Sequence, residues 1–110
     1  MDAMAKWGEE VPFPITICDK EGIIVAMNQK SIEQFAEDGG AELIGKSLLD
    51  CHPEPARIKL VKLLKDKTVN TYISYSGNRK SLIHETPWFV NGEYQGFVEI
   101  SIDVTDVLSK

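Results

Sequence analysis

The sequence predicts an α+β domain in which one antiparallel sheet carries its helices on one face. Three observations lead there. Two apolar runs joined by a turn lie near the start, a helix-spaced stretch fills the middle, and strand alternation with an Asn91-Gly92 turn follows Lys67. The chain has 110 residues, 43% apolar and 26% charged, which suits a single domain around one core and argues against disorder. Twelve basic residues against seventeen acidic ones give a net charge of −5, the wrong sign for nucleic-acid backbones or anionic lipid surfaces. No apolar run reaches the roughly 20 residues of a membrane span. The first ten residues carry Asp2, Glu9 and Glu10 and lack a signal-like apolar run. Cys18 and Cys51 form neither a disulfide framework nor a CxxC pair. A small cytoplasmic domain is the expectation.

The opening segment places Met4, Trp7 and Val11 at helical spacing, with Asp2 suited to cap it, before Pro12 and Pro14 end it. It reads as an amphipathic helix or arm over residues 1–13. Ile15 and Ile17 alternate with Thr16 and Cys18, Asp19-Lys20-Glu21-Gly22 turns the chain, and Ile23–Met27 forms the second strand. Asn28 is placed to cap a helix whose apolar face is Ile32, Phe35 and Ala36, ending before Gly39-Gly40. Gly45, Pro53 and Pro55 leave room only for single turns in the next stretch. A longer helix begins near Pro55 and ends near Lys67, with Leu60, Val61, Leu63 and Leu64 as its buried stripe, Ile58 at the edge, and Lys59 and Lys62 outward. Three strands complete the chain: Val69–Tyr75, Lys80–Val90 and Tyr94 to about Val104.

Chemical motifs are absent. There is no GxSxG elbow, HExxH pair or phosphate-cradling glycine loop, and no carboxylate pair is visible for acid–base work, so no enzyme is expected. Arg57, Lys59, Lys62, Lys65 and Lys67 collect five basic residues on the long helix; beside the acidic total they read as a solvated face rather than an anion patch.

Four pieces in order carry a family resemblance: PITICDKEGIIVAMN, ELIGKSLLD, TPWFVNGEYQGF and ISIDVTDV. Together they resemble a PAS domain over residues 14–106, with Asp103-Val104-Thr105 similar to the family's terminal Asp-Ile-Thr. The resemblance implies a five-stranded antiparallel sheet in the order 2-1-5-4-3. It also implies a sensor or interaction module, often dimeric, that binds a small molecule or a partner and acts on an attached effector. Residues 107–110 would begin the segment leading to that effector, and Asp103 and Thr105 would transmit the signal.

Cys51-His52 is the most reactive dipeptide. Flavin-binding relatives place a cysteine where this chain has leucine, so flavin is not expected. Haem through His52 is the alternative to a histidine that bonds a loop carbonyl, because relatives hold their proximal histidine on the longest helix and His52 precedes it. His84 could approach His52 as a weak metal or pH-switch pair. Phe35, Leu49, His52, Ile58, Val61, Ile73, Val98 and Ile100 are the expected ligand-contacting residues. The apolar ones among them also read as a filled or nearly filled core, which is the expectation, since an empty cavity costs on the order of a few kcal/mol. If Val98, Ile100 and Ile102 point inward, Phe97 points out. It would then join Met4 and Trp7 in a homodimer interface.

Overall fold

The computed structural model describes residues 3–109, without the side chains of residues 3–5 and 51. Helix α1 (Ala3–Glu10) precedes strands β1 (Ile15–Asp19) and β2 (Ile24–Met27). Helix α2 (Gln29–Gln34), two 3₁₀ turns (Ala36–Asp38 and Gly40–Leu43), α3 (Leu48–Cys51) and α4 (Ala56–Asp66) follow. The chain ends in β3 (Asn70–Ser76), β4 (Arg79–Val90), β5 (Glu93–Asp103) and the short α5 (Thr105–Leu108). The sheet is antiparallel throughout, in the order β2-β1-β5-β4-β3 that the resemblance implies. Among the described residues no helix is long and apolar enough to cross a membrane. Asp2 and Lys110 lie outside the described residues.

Asn28 shows how the N-terminal half is held. Its Oδ1 accepts from the backbone N–H of Ser31 at 3.0 Å, which caps α2 as the sequence suggests, and from that of Ile15 at 2.9 Å. Its Nδ2 donates to the carbonyls of Gly8 and Phe13 at 2.9 and 2.8 Å. One buried side chain therefore ties α1, the entry to β1 and the start of α2. On the far edge of β2, the 45–48 segment pairs with Gly22 and Ile24 through three backbone bonds, which covers that edge. The Ser47 hydroxyl then caps α3 by accepting from Leu49 N–H.

Register decides what each face of the sheet carries. Met27, Thr16, Glu99, Glu85 and Asn70 are successive partners across all five strands, so one row runs the width of the sheet on the helix side. Cys18 opposite Phe97 and Ile83 opposite Ser101 lie on the same side. The opposite side carries Ile17, Val98 and Thr86 in one row, Ile15, Ile100, His84 and Thr71 in the next, and Ile102, Leu82 and Ile73 in a third. The inward phase expected for Val98, Ile100 and Ile102 is thus reversed, and Phe97, only 7% exposed, faces the helices. Alternation says which residues share a face, not which face is inside. The more aliphatic set lies on the side away from the helices α2–α4, and the inner set contains Glu99.

A bulge in β5 adds to the difficulty. Tyr94 opposes Phe89 while Gly96 opposes Trp88, so Gln95 is an extra residue. Across it Tyr94 and Phe97, three apart, meet edge to face with ring centroids 6.2 Å apart. Gly96 adopts φ 145°, and a Cβ there would overlap the Cys18 carbonyl oxygen, the acceptor for Trp88 Nε1–H.

Candidate functional site

The space between sheet and helices is not filled. A cavity of about 440 Å³ lies there, lined by Ile24, Met27, Phe35, Leu43, Leu48 and Leu60, with Thr16, Asp38, His52, Glu85 and Glu99 as its polar members. A neighbouring space of about 300 Å³ under α4 shares His52, Leu60, Glu85 and Glu99 and adds Lys59, Leu63, Asn70 and Tyr72. The filled core that the aliphatic stripes suggested is therefore corrected. α4 has no buried residue, and Ile58 and Val61 are 65% and 45% exposed. It closes on the sheet at its C-terminal end. There Tyr94 Oη–H donates to Leu64 O at 3.2 Å, and the Lys67 ammonium lies 5.0 Å from the Tyr94 ring centre. Lys59, expected to point outward, lies 5.5 Å from the ring centre of Tyr72.

Glu85 and Glu99 stand directly opposite each other on β4 and β5. Burial pushes the Glu99 carboxyl up to about 7; the hydrogen bond its protonated form makes with Glu85, and the Glu85 charge, add to this. Glu85 accepts from Asn70 Nδ2 at 2.7 Å. The Thr16 hydroxyl is spent on Ser31, whose side chain is completely buried, at 2.5 Å. His52 Nδ1 lies 2.6 Å from the Leu48 carbonyl, which makes Nδ1 the protonated nitrogen. Burial also raises the Cys18 thiol and, together with Glu85 and Glu99, the Tyr72 hydroxyl.

Of the eight residues expected to contact a ligand, Phe35 and His52 line the cavity. Leu49 instead packs beside Gly22, Ile58 and Val61 lie on the open side of α4, and Ile73, Val98 and Ile100 are on the far face of the sheet. His84 is on that far face too, 2.8 Å from the Thr71 hydroxyl, so it does not approach His52. Sequence reasoning missed Glu85 and Glu99. The signal was present as Glu85 and Glu99 in two strands joined by Asn91-Gly92, but pairing them needs the register across the bulge. His52 is where a haem ligand was considered, yet carboxyls floor the space beside it, a donor set unsuited to a porphyrin face. Among the described residues no group of three or more His, Cys, Asp or Glu is placed to hold a metal ion.

The β5 exit is a second ordered site. Asp103 Oδ2 accepts two hydrogen bonds from the Arg79 guanidinium at 2.9 and 3.0 Å, and its Oδ1 accepts from Thr105 N–H at 2.9 Å. The Thr105 hydroxyl accepts from Lys80 N–H at 2.8 Å, and Val104 N–H donates to Lys80 O. The Thr105 bonds, the backbone one foremost, then Arg79, hold the Asp103 carboxyl below its ordinary range. On the other end, Trp7 is 48% exposed with its ring centre 6.4 Å from that of Phe13. The Met4 side chain lies outside the described residues.

A sheet of this order with helices over one face, a hollow between them and an Asp-x-Thr clamp at the last strand defines a PAS-type module. The sequence agrees: residues 9–108 match the family described as the PAS fold, and the chain belongs to it. Solved structures show the same fold. The C-terminal domain of a Streptococcus mutans protein is similar at 17% identity and TM-score 0.72, over 92% of this chain and 82% of that one. The PAS domain of Bordetella pertussis BvgS is similar at 18% and 0.68, over 96% and 89%. The Aer2 receptor of Vibrio cholerae, described as a dual PAS-heme oxygen sensor, is similar at 20% and 0.63, over 84% and 95%. No curated protein is similar enough to count as a match.

Proposed function

We propose that this chain is a non-enzymatic sensory module, cytoplasmic, that takes a small molecule into the cavity and passes the change to an effector through the β5 exit. One observation carries the reading: β4 and β5 supply both the polar floor of the cavity, Glu85 and Glu99, and the exit clamp, Arg79, Lys80 and Asp103. Residues 14–106 form the sensing body, residues 1–13 an arm, and residues 107–110 begin the route to the effector. Asp103 and Thr105 transmit by fixing the direction in which α5 leaves. Nothing in this reading calls on nucleic acid or a membrane.

Self-association fits the same arrangement. The far face of the sheet presents Ile17, Leu82, Val98, Ile100 and Ile102, with Ile102 42% exposed, and Trp7 of α1 is 48% exposed. A second copy covering that face makes a homodimer whose interface uses these residues in place of Phe97. Native mass spectrometry of the protein as purified, with thermal-shift titration of small molecules, tests both halves. A bound small molecule that raises the melting temperature supports sensing, provided the shift is lost in Leu60→Trp, which narrows the cavity. A constitutive dimer that takes up no small molecule would replace this reading with a ligand-free dimerisation module.

A further inference from the structure

The polar lining of the cavity is rich in acceptors and poor in donors. Glu85, Glu99 and Asp38 bring carboxyl oxygens. His52, with Nδ1–H committed to Leu48 O, offers Nε2 as an acceptor in its neutral ring. Of the neutral donors nearby, Thr16 is engaged with Ser31 and Asn70 with Glu85, and the Tyr72 hydroxyl lies in the adjoining space under α4. The lysine among the lining residues, Lys59, lies over Tyr72, and among the described residues neither carboxyl of the pair has a salt-bridge cation. No side-chain N or O among the described residues is both fully buried and unpartnered, so the free carboxyl oxygens open onto the cavity. The remaining lining is apolar and aromatic, from Phe35, Leu43 and Leu48 on the helix side.

We propose that the cavity binds a small organic cation, an ammonium or amidinium on an apolar body, with its charged end against Glu85 and Glu99. The inference rests on the sensor reading above and commits it to a ligand class. A hydroxyl, with one donor hydrogen, would satisfy one carboxyl. A cation satisfies the acceptor surplus and offsets the like-charge cost of two opposed carboxylates.

Binding of that class exchanges charge for a proton. Before binding, the pair holds a shared proton in about half of the molecules at pH 7, because burial and Glu85 hold Glu99 up to about 7. The arriving ammonium keeps its own protons and favours the ionised form of both carboxyls, so the shared proton leaves to solvent. The groups facing the pair set the field in which this occurs. Asp38 adds negative charge from the 3₁₀ turn, while His52, Lys59 and Tyr72 face it from the approach to α4, from α4 and from β3.

Isothermal titration at pH 7 in two buffers of different ionisation heat tests the proposal. The probes are 2-phenylethylamine, 2-phenylethanol and 3-phenylpropanoate. The amine is expected to bind at least about tenfold tighter than either analogue. It should release about half a proton per site, the fraction held by a carboxyl titrating at about 7. Glu99→Gln should abolish the release, and Glu85→Gln should weaken the amine about tenfold or more. Equal or tighter binding of the alcohol or the carboxylate overturns the ligand class while leaving small-molecule sensing standing. Failure of all three to bind also overturns the class, and sensing is then judged by native mass spectrometry. Amine affinity and proton release unchanged in both variants overturn the proposal. Thermal melting reports whether each variant folds; if Glu85→Gln does not, the buffer dependence of wild type against Glu99→Gln decides.

Discussion

Replacing Glu99 with glutamine tests the carboxyl pair through stability alone. The carboxyl titrates at about 7 in the folded chain against an ordinary 4.5, with burial as the main cause. A group raised in the folded state leaves stability intact below its unfolded value and lowers it as pH climbs through its folded value. The wild type therefore loses stability between about pH 4.5 and 7, and the loss persists above that window. The separation corresponds to roughly 3 kcal/mol, an upper figure because the cavity admits solvent. Glutamine is nearly the same size and neutral at every pH. Glu99→Gln should match the wild type near pH 4.5 and exceed it by up to about 3 kcal/mol at pH 8, a melting difference on the order of 10 °C for a domain this small. Urea denaturation of both proteins from pH 4.5 to 8 reads this for the Glu85–Glu99 pair, since the carboxylates away from it cancel in the comparison. Parallel curves, or a variant less stable at pH 8, would refute the buried, proton-sharing pair.

Other substitutions probe the frame around the cavity. Asn28→Ala removes two accepted and two donated hydrogen bonds from one buried side chain and should cost roughly 3 kcal/mol in urea denaturation. A cost under about 1 kcal/mol would show that water replaces the network. Gly96→Ala sets a Cβ on the Cys18 carbonyl at a backbone angle that suits glycine, so loss of soluble folded protein is expected. Wild-type expression and melting would disprove the close approach. Thr16→Val orphans the buried Ser31 hydroxyl and should lower stability by about 1–3 kcal/mol. Asp103→Ala acts on an exposed carboxyl held low by Thr105 and Arg79. Its small contribution to stability is present above the unfolded carboxyl range and fades as pH falls. The variant should melt close to wild type yet weaken coupling to an attached effector, and unchanged coupling would remove Asp103 from the transmitting role.

Strand positions, the Asn28 cap and the Asn91-Gly92 hairpin were legible because each depends on neighbours within a few residues. The cavity was not, for two physical reasons. Which phase of β5 faces inward depends on what lies across the sheet, and the inner phase holds a glutamate where an aliphatic core would place leucine. The helix α4 carries the 3.6-residue stripe that ordinarily signals burial, yet Tyr94 meets it at Leu64 and at Lys67 just past its end, while Ile58 and Val61 remain exposed. The stripe records amphipathicity; only packing tells how far the face is closed. Phe35 was found as part of the apolar face it shares with Ile32 and Ala36, and His52 as half of the Cys51-His52 dipeptide, both signals within a few residues. Glu85 and Glu99 had no local mark, since their pairing is a property of two strands at once.

The geometry of β4 and β5 gives a reason for placing the carboxyl pair where it is. Glu99 and Asp103 are four residues apart on one strand, about 13 Å at strand rise, with no bulge between them. Glu85 and Arg79 lie on the paired strand. A change of charge at Glu85–Glu99 alters repulsion across the same two strands that hold the Arg79–Asp103 and Thr105–Lys80 bonds, so cavity and exit share one mechanical element. Transmission then needs that pair of strands to have two arrangements, one for the proton-sharing pair and one for the ionised pair. Hydrogen exchange of the Lys80 amide, which donates to Thr105, separates the cases. Exchange that differs between Glu99→Gln and wild type at pH 8, but not at pH 5, places both sites on one switch. Exchange that ignores Glu99 would confine the carboxyl pair to ligand binding.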